Sequence, residues 1–302
     1  MKKIDYQRIE ENLKRVLKTN RVSLVLKNDA YGFKMDKIIP LAIKNNVDTF
    51  YLNTLDEAIK ARVICDKRLI LLGPSRDYIV SLIKYKIIPT AINIEDYQYY
   101  TYNSLRFALE LDSGMNRFGI KKYNERLFDN EYLEEVYMHF YTAKDDNLVA
   151  MKEIAYLCNK YNKRFTFGGS LAYGYHNYPL RIGRLIYENS ISLYGRVLEI
   201  KRVLKGETVG YEGEFKAPKD LLIAVTDIGY YNGLRTHYKG RVFIKNKYYN
   251  IVGRICMNHS FIEVDEDVSL SDVVEFLGEN IEEKELLDNN NMTKYESFLW
   301  LK

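Results

Sequence analysis

Apolar residues along the first two-thirds of the chain recur with two different periods. Ile9, Leu13 and Val16 follow one another at helical spacing, whereas VSLVL, DTFYL, LILLG, IIPTAI, FALELD, VYMHFYT and RFTFGG are apolar-rich runs of strand length. Between them lie longer amphipathic stretches: MDKIIPLAIKNN, which reads as helical despite Pro40, then DYIVSLIKY, and helices predicted near residues 95–105, near 130 and over 146–162. TLDEAIKARVI carries its own start signal, because Thr54 followed three positions on by Glu57 forms a capping box. Alternation of strand and helix about eight times predicts an α/β chain with a parallel sheet. So many units close more readily into a TIM (β/α)8 barrel than they extend an open sheet.

After residue 192 the texture changes. GRVLEIKRVL, LLIAVTDIG, GRVFIKNKYYNIVGRI and HSFIEVD are β-branched, short and separated by glycine or Asn-Lys turns, with hardly a helical pattern until the 280s. The expected organisation is therefore a barrel over 1–192 followed by a mostly-β domain over 193–302. ENIEEKELLDNNN reads as a solvated loop and helix edge.

Composition narrows the function classes. Of 302 residues, 47% are hydrophobic, which suits a globular chain. The 45 Lys and Arg against 41 Asp and Glu leave a net charge of +4 spread without a basic block, so neither nucleic acid nor a membrane is an expected partner. Cys65, Cys158 and Cys256 are too few and scattered for a disulfide framework or a metal site, and no metal is expected. The start MKKIDYQRIEENLKRVLK lacks an apolar signal core, which points to a cytoplasmic protein.

Candidate chemistry begins at LVLKNDAYGF, where Lys27 ends an apolar run and a polar cluster with glycine follows as a predicted loop. The carboxyl ends of barrel strands are where such folds keep their chemistry. Position alone leaves Lys27 open to a surface or phosphate-contacting role as well as a covalent one.

VLKNDAYG resembles the pyridoxal-phosphate lysine motif of alanine racemases, usually V-K-A-N-A-Y-G-H-G. The resemblance continues in order through FYLNTLDEAIKAR, LELDSGMNRFGI, VYMHFYTA, FGGS, LRIGRLIY, GETVGYEG, GYYNG and VGRICMNHSFIEV. It implies a barrel followed by a β domain, pyridoxal 5'-phosphate as cofactor, an amino-acid substrate, and a homodimer in which each site is built from two chains. By the same resemblance Lys27 would hold the cofactor and serve as one base at the α-carbon, with Tyr211, supplied by the β domain of the partner, as the other.

Arg181 is the most discriminating carry-over. Decarboxylases sharing this barrel place a carboxylate against the pyridine nitrogen, whereas a guanidinium stays charged and only donates, leaving that nitrogen unprotonated and favouring return of a proton. His139 would bond Arg181, though on its own it reads equally as a core histidine. Arg117 would meet the cofactor's phenolic oxygen and the substrate carboxylate, with Glu110 supplying a negative charge to position it or forming an ordinary ion pair. Phosphate would fall to Tyr31, Ser170, Tyr295 and the backbone around Gly183 and Arg184; Tyr230 would stand at the entrance, and the Met257 amide would meet substrate carboxylate. Gly168 and Gly169 would let backbone approach closely, or simply form a turn.

The chain departs from the family pattern at three positions. Gly169 replaces a common asparagine, Asn258 an aspartate, and Arg184 an apolar residue. Tyr295 keeps the bulky phenol of the alanine enzymes, so alanine is the expected substrate and D-alanine for peptidoglycan the expected product. A racemase of serine or a basic amino acid, and a pyridoxal-phosphate-binding protein without racemase activity, are the competing readings.

Overall fold

The computed structural model describes residues 1–142, 145–169, 172–173, 175, 177–290, 292–293 and 296. Two compact units emerge. One is Ile9–Ile186; the other joins Met1–Arg8 to Tyr187–Lys302.

The first unit is a closed barrel of β2 (Val22–Val25), β3 (Thr49–Leu52), β4 (Arg68–Leu71), β5 (Ile88–Ala91), β6 (Phe107–Leu111), β7 (Leu133–His139), β8 (Arg164–Gly168) and β9 (Leu180–Ile182), preceded by β1 (Lys2–Ile4) of the other unit. Neighbouring strands are parallel throughout, and β2 closes the ring by pairing with β3 through Leu24 and Phe50 and with β9 through Val22 and Leu180. Helices Tyr6–Leu17, Met35–Lys44, Leu55–Ile64, Ile79–Lys84, Ile94–Tyr102 and Asp145–Lys160 account for most of the amphipathic stretches. The capping box is present: Thr54 Oγ1 accepts from the Glu57 N–H, and Glu57 accepts from the Thr54 N–H.

Two expectations change. No helix forms near residue 130. A single 3-10 turn, Glu125–Leu127, stands there, because Asn130 spends its side chain on the Tyr97 hydroxyl, Thr101 Oγ1 and the Tyr132 N–H. The cluster after Lys27, expected as a loop, is instead a tight left-handed turn over Asn28–Tyr31. The eighth barrel strand, Leu180–Ile182, lies inside the LRIGRLIY block and is too short to stand out as an apolar run.

Ion pairs at the amino-terminal side of the strands fasten the barrel. Arg68 at the start of β4 reaches Glu134 and, at 3.2 Å, Glu135 on β7, while Arg164 at the start of β8 pairs with Asp48 at 3.0 Å.

The second unit is antiparallel. β10 (Ile191–Val203) pairs with β1, with β13 (Leu221–Thr226) and with β17 (Val273–Leu277); β11 (Thr208–Val209) and β12 (Phe215–Lys216) form a small ribbon, and β14 (Arg241–Ile244), β15 (Lys247–Val252) and β16 (Ser260–Val264) complete the sheet. Its core includes Val209, Ala217, Leu221, Ile223 and Val252. A boundary between 192 and 193 cuts through β10, and the first residues join this unit because Lys2–Ile4 pair with Ile191–Leu193. The helix Glu283–Asn289 follows β17. Among the described residues no helix is long and apolar enough to cross a membrane.

Candidate active site

Parallel pairing carries Lys27, Arg117, His139 and Arg181 to, or just beyond, the carboxyl ends of β2, β6, β7 and β9. Lys27 follows Leu26 at the end of β2, half-buried, with its Nζ 5.7 Å from the centroid of the Tyr31 ring. Burial pushes its pKa down, the positive charges of Arg117 and Arg181 push it further the same way, and Glu57 opposes them. A lysine so placed carries more neutral, nucleophilic amine near neutrality than an exposed one.

Arg181 lies in the barrel interior, 4% exposed, on a floor of two tyrosine rings. Its guanidinium carbon is 4.1 Å from the centroid of Tyr137 and 5.0 Å from that of Tyr51, two rings that meet edge to face. Each phenol is tied to a buried carboxylate: Tyr137 donates to Glu110 Oε2 at 3.1 Å, and Tyr51 to Glu135 Oε1, with Thr166 Oγ1 3.0 Å from the Tyr51 oxygen. Burial, reinforced by Glu135 for Tyr51 and by Glu110 for Tyr137, holds both phenols protonated far beyond the usual range, so both remain donors. Among the described residues the guanidinium's Nε and Nη2 are buried without a hydrogen-bond partner. Unsatisfied donors of this kind cost about 1–3 kcal/mol each, and they mark a place for an acceptor. Gly168 makes the arrangement possible, since a Cβ there would stand 2.5 Å from Arg181 Nη2; its role is to clear space for the arginine.

His139 ends β7 beside Gly168, the register partner of Arg181. Burial, then Arg181, Arg117 and Lys27, lower its pKa to about 3. The imidazole is therefore neutral over the physiological range. Below pH 6.5 the unfolded chain takes up a proton that the folded imidazole refuses, so this residue makes stability rise with pH between about 3 and 6.5. His139→Gln is expected to shrink the stability difference between pH 5 and pH 7 in the cofactor-free protein, measured by urea unfolding.

Arg117 is half-exposed and stands 4.0 Å from Glu110 Oε1. Burial raises the Glu110 pKa, while Arg181, Tyr137 and Arg117 favour its charged form. The two line a narrow cleft with Ser113, Met115, Phe118 and His139. After the neighbouring strand β9, Gly183 packs on Tyr31 of the Lys27 turn: a Cβ at 183 would lie 2.3 Å from the Tyr31 hydroxyl. Arg184, 7% exposed, opens the 3-10 turn Arg184–Tyr187. Gly169 adopts a φ of +112°, and a Cβ there would meet the Phe140 carbonyl at 2.6 Å, so backbone geometry requires the glycine. Ser170 and Tyr295 lie outside the described residues.

In the second unit Tyr211, Tyr230 and Met257 are solvent-facing, at 63%, 41% and 52% exposure. One segment gathers them: Gly210 packs on the Arg254 backbone, the Tyr230 N–H donates to the Cys256 carbonyl at 3.0 Å, and the Tyr231 N–H to the Met257 carbonyl at 2.9 Å. Arg254 pairs with Glu212 at 2.9 Å and with Glu214, on either side of Gly213.

Sequence reading missed Tyr51, Tyr137 and Glu135. A glutamate inside the apolar run LEEVYMH was the available signal, since a charge buried in a strand needs a partner.

A closed barrel that gathers a buried arginine and a half-buried lysine at the carboxyl ends of its strands, on a chain continuing into an antiparallel β unit, has the layout in which barrel enzymes hold their chemistry. The model for "Alanine racemase, N-terminal domain" matches residues 4–164, and that for "Alanine racemase, C-terminal domain" matches 190–302. The chain belongs to the alanine racemase family. It is 26% identical to alanine racemase of Borreliella burgdorferi, covering 97% of this chain and 92% of the relative, and 27% identical to that of Clostridium tetani, covering 89% and 83%. Among solved structures, alanine racemase from Clostridium difficile 630 superposes with a TM-score of 0.86 at 22% identity, covering all of this chain and 93% of the other. Alanine racemase from Bartonella henselae, with covalently bound pyridoxal phosphate, gives 0.88 at 20% identity, covering all of this chain and 96% of the other.

Proposed function

We propose that this chain interconverts L-alanine and D-alanine with pyridoxal 5'-phosphate, supplying D-alanine for peptidoglycan as a cytoplasmic homodimer. The observation that carries the reading is Arg181: a buried cation on an aromatic floor whose Nε and Nη2 have no hydrogen-bond partner among the described residues. The residues present fit the cofactor. Arg181 offers donors to a ring nitrogen and cannot protonate it, Lys27 offers an amine whose charged form burial and neighbouring arginines disfavour, and Tyr31, Gly183 and Arg184 would take the phosphate, joined by Ser170 and Tyr295.

When bound, pyridoxal phosphate links to an amine through its aldehyde carbon and withdraws electrons from the substrate α-carbon. The protein's own groups do the rest. Lys27 accepts or returns a proton on one face of that carbon, and the partner subunit's Tyr211 does so on the other. Arg117, steadied by Glu110, orients the substrate carboxylate, with the Met257 amide meeting it from the partner and Tyr230 at the entrance. Neutral His139, one strand over from Arg181 across Gly168, would accept a hydrogen bond from it without adding a second positive charge.

Incubating purified protein and cofactor with a panel of L-amino acids, read by chiral chromatography, tests the proposal. L-alanine is expected to reach equal amounts of both enantiomers fastest. Absence of D-alanine, with D-serine or a basic D-amino acid formed instead, would move the substrate; no racemisation at all would leave a binding protein.

A further inference from the structure

The residues after Lys27 occupy a conformation that their side chains resist. Asn28, Asp29, Ala30 and Tyr31 have φ of 55°, 53°, 56° and 57°. L-residues other than glycine resist the left-handed region, with Asn and Asp the more tolerant. Local bonds offset part of this: the Ala30 N–H donates to the Leu26 carbonyl at 2.8 Å, the Gly32 N–H to the Asn28 carbonyl at 2.9 Å, and Asp29 Oδ1 accepts the Met35 N–H at 2.9 Å.

The remaining restraint comes from another strand's loop. Glu57 Oε1 accepts the Asn28 N–H at 2.6 Å, while its Oε2 accepts the N–H groups of Asn53 at 3.0 Å and Thr54 at 3.3 Å. A capping box calls for the bond to Thr54; nothing in capping calls for the bond to Asn28. The carboxylate sits in the first turn of the helix Leu55–Ile64, where the helix dipole favours negative charge. It thereby fastens the turn after β2 to the turn after β3.

We propose that Glu57 is a positioning residue for Lys27, its carboxylate holding the left-handed turn that sets where the lysine amine stands. The inference rests on Lys27 carrying the cofactor. Three N–H groups meet two carboxylate oxygens, so Glu57→Gln must turn an NH2 towards at least one donor. Thr54→Ala removes the other half of the capping box while leaving every bond that Glu57 accepts, and so separates loss of the cap from loss of the turn.

The test uses the full chain. In cofactor-free protein, hydrogen exchange over residues 26–34 is expected to rise about tenfold in Glu57→Gln and to stay at the wild-type rate in Thr54→Ala. In loaded protein, Glu57→Gln is expected to lower kcat about tenfold with KM within about twofold, and Thr54→Ala to keep kcat while lowering the melting temperature. Adding Ala30→Gly to Glu57→Gln should restore kcat, since glycine adopts the left-handed region without strain. Unchanged exchange in Glu57→Gln, equal loss of kcat in Thr54→Ala, or failure of Ala30→Gly to rescue would each overturn the proposal. Because the exchange experiment needs no cofactor, it stands apart from the assignment of Lys27, which Lys27→Ala tests.

Discussion

Lys27→Ala is expected to lower racemisation about a thousandfold or more in both directions, and to abolish the visible absorbance of lysine-bound cofactor. The amine stands past the end of β2, half-buried, where burial and the charges of Arg117 and Arg181 disfavour its charged form, the direction that favours a base at the α-carbon. Lys34, the next lysine along the chain, is exposed and engaged with Asp29 at 3.1 Å, so it offers no substitute. The same electrostatics predict that stability will not fall. A lysine whose pKa is lower folded than unfolded destabilises the native state at every pH where the unfolded lysine is protonated, and Lys27→Ala removes that cost. The melting temperature of the cofactor-free mutant should therefore match or exceed that of the wild type, the trade between stability and activity usual at catalytic sites. Lys27→Arg sharpens the test, because a guanidinium keeps the positive charge yet cannot supply the neutral amine. Normal turnover in either mutant would refute the assignment.

The parts legible in the sequence are those that local pattern dictates. Alternating apolar runs and amphipathic stretches gave the barrel, Thr54 and Glu57 announced a helix start that is present to the hydrogen bond, and β-branched segments split by glycine gave the antiparallel unit. What stayed hidden depends on partners distant in sequence. The turn after Lys27 contradicts the preference of its own residues and is held by Glu57 from another loop. Lys2–Ile4 becomes a strand only against Ile191–Leu193. Barrel strands are apolar on both faces, so pattern could not tell that Tyr51 and Tyr137 point inward to carry Arg181. Nor could it distinguish the Gly168 that clears space for that arginine from a glycine in an ordinary turn. Asn130 defeats a helix through bonds to Tyr97 and Thr101 that no local window contains.

Tyr211→Phe is expected to lose turnover about a hundredfold to ten-thousandfold in both directions, the range for removal of a general acid–base group, while keeping bound cofactor and an unchanged melting temperature. The change deletes one oxygen from a ring that is 63% exposed. The loop's conformation is fixed elsewhere: Gly210 has a φ of +79° and packs on the Arg254 backbone, and Arg254 holds Glu212, itself at a φ of 59°, by an ion pair of 2.9 Å. Loss of turnover without loss of fold would thus report on chemistry. Racemisation needs a proton removed from one face of the α-carbon and returned on the other, so a single missing base stops both directions even though Lys27 remains. Mixing Lys27→Ala with Tyr211→Phe then tests where the second base comes from. If each site combines the barrel of one chain with Tyr211 of its partner, a mixed dimer holds one site with both residues intact and one with neither, and activity should return as subunits exchange. No recovery despite proven exchange would mean that both residues act within one chain.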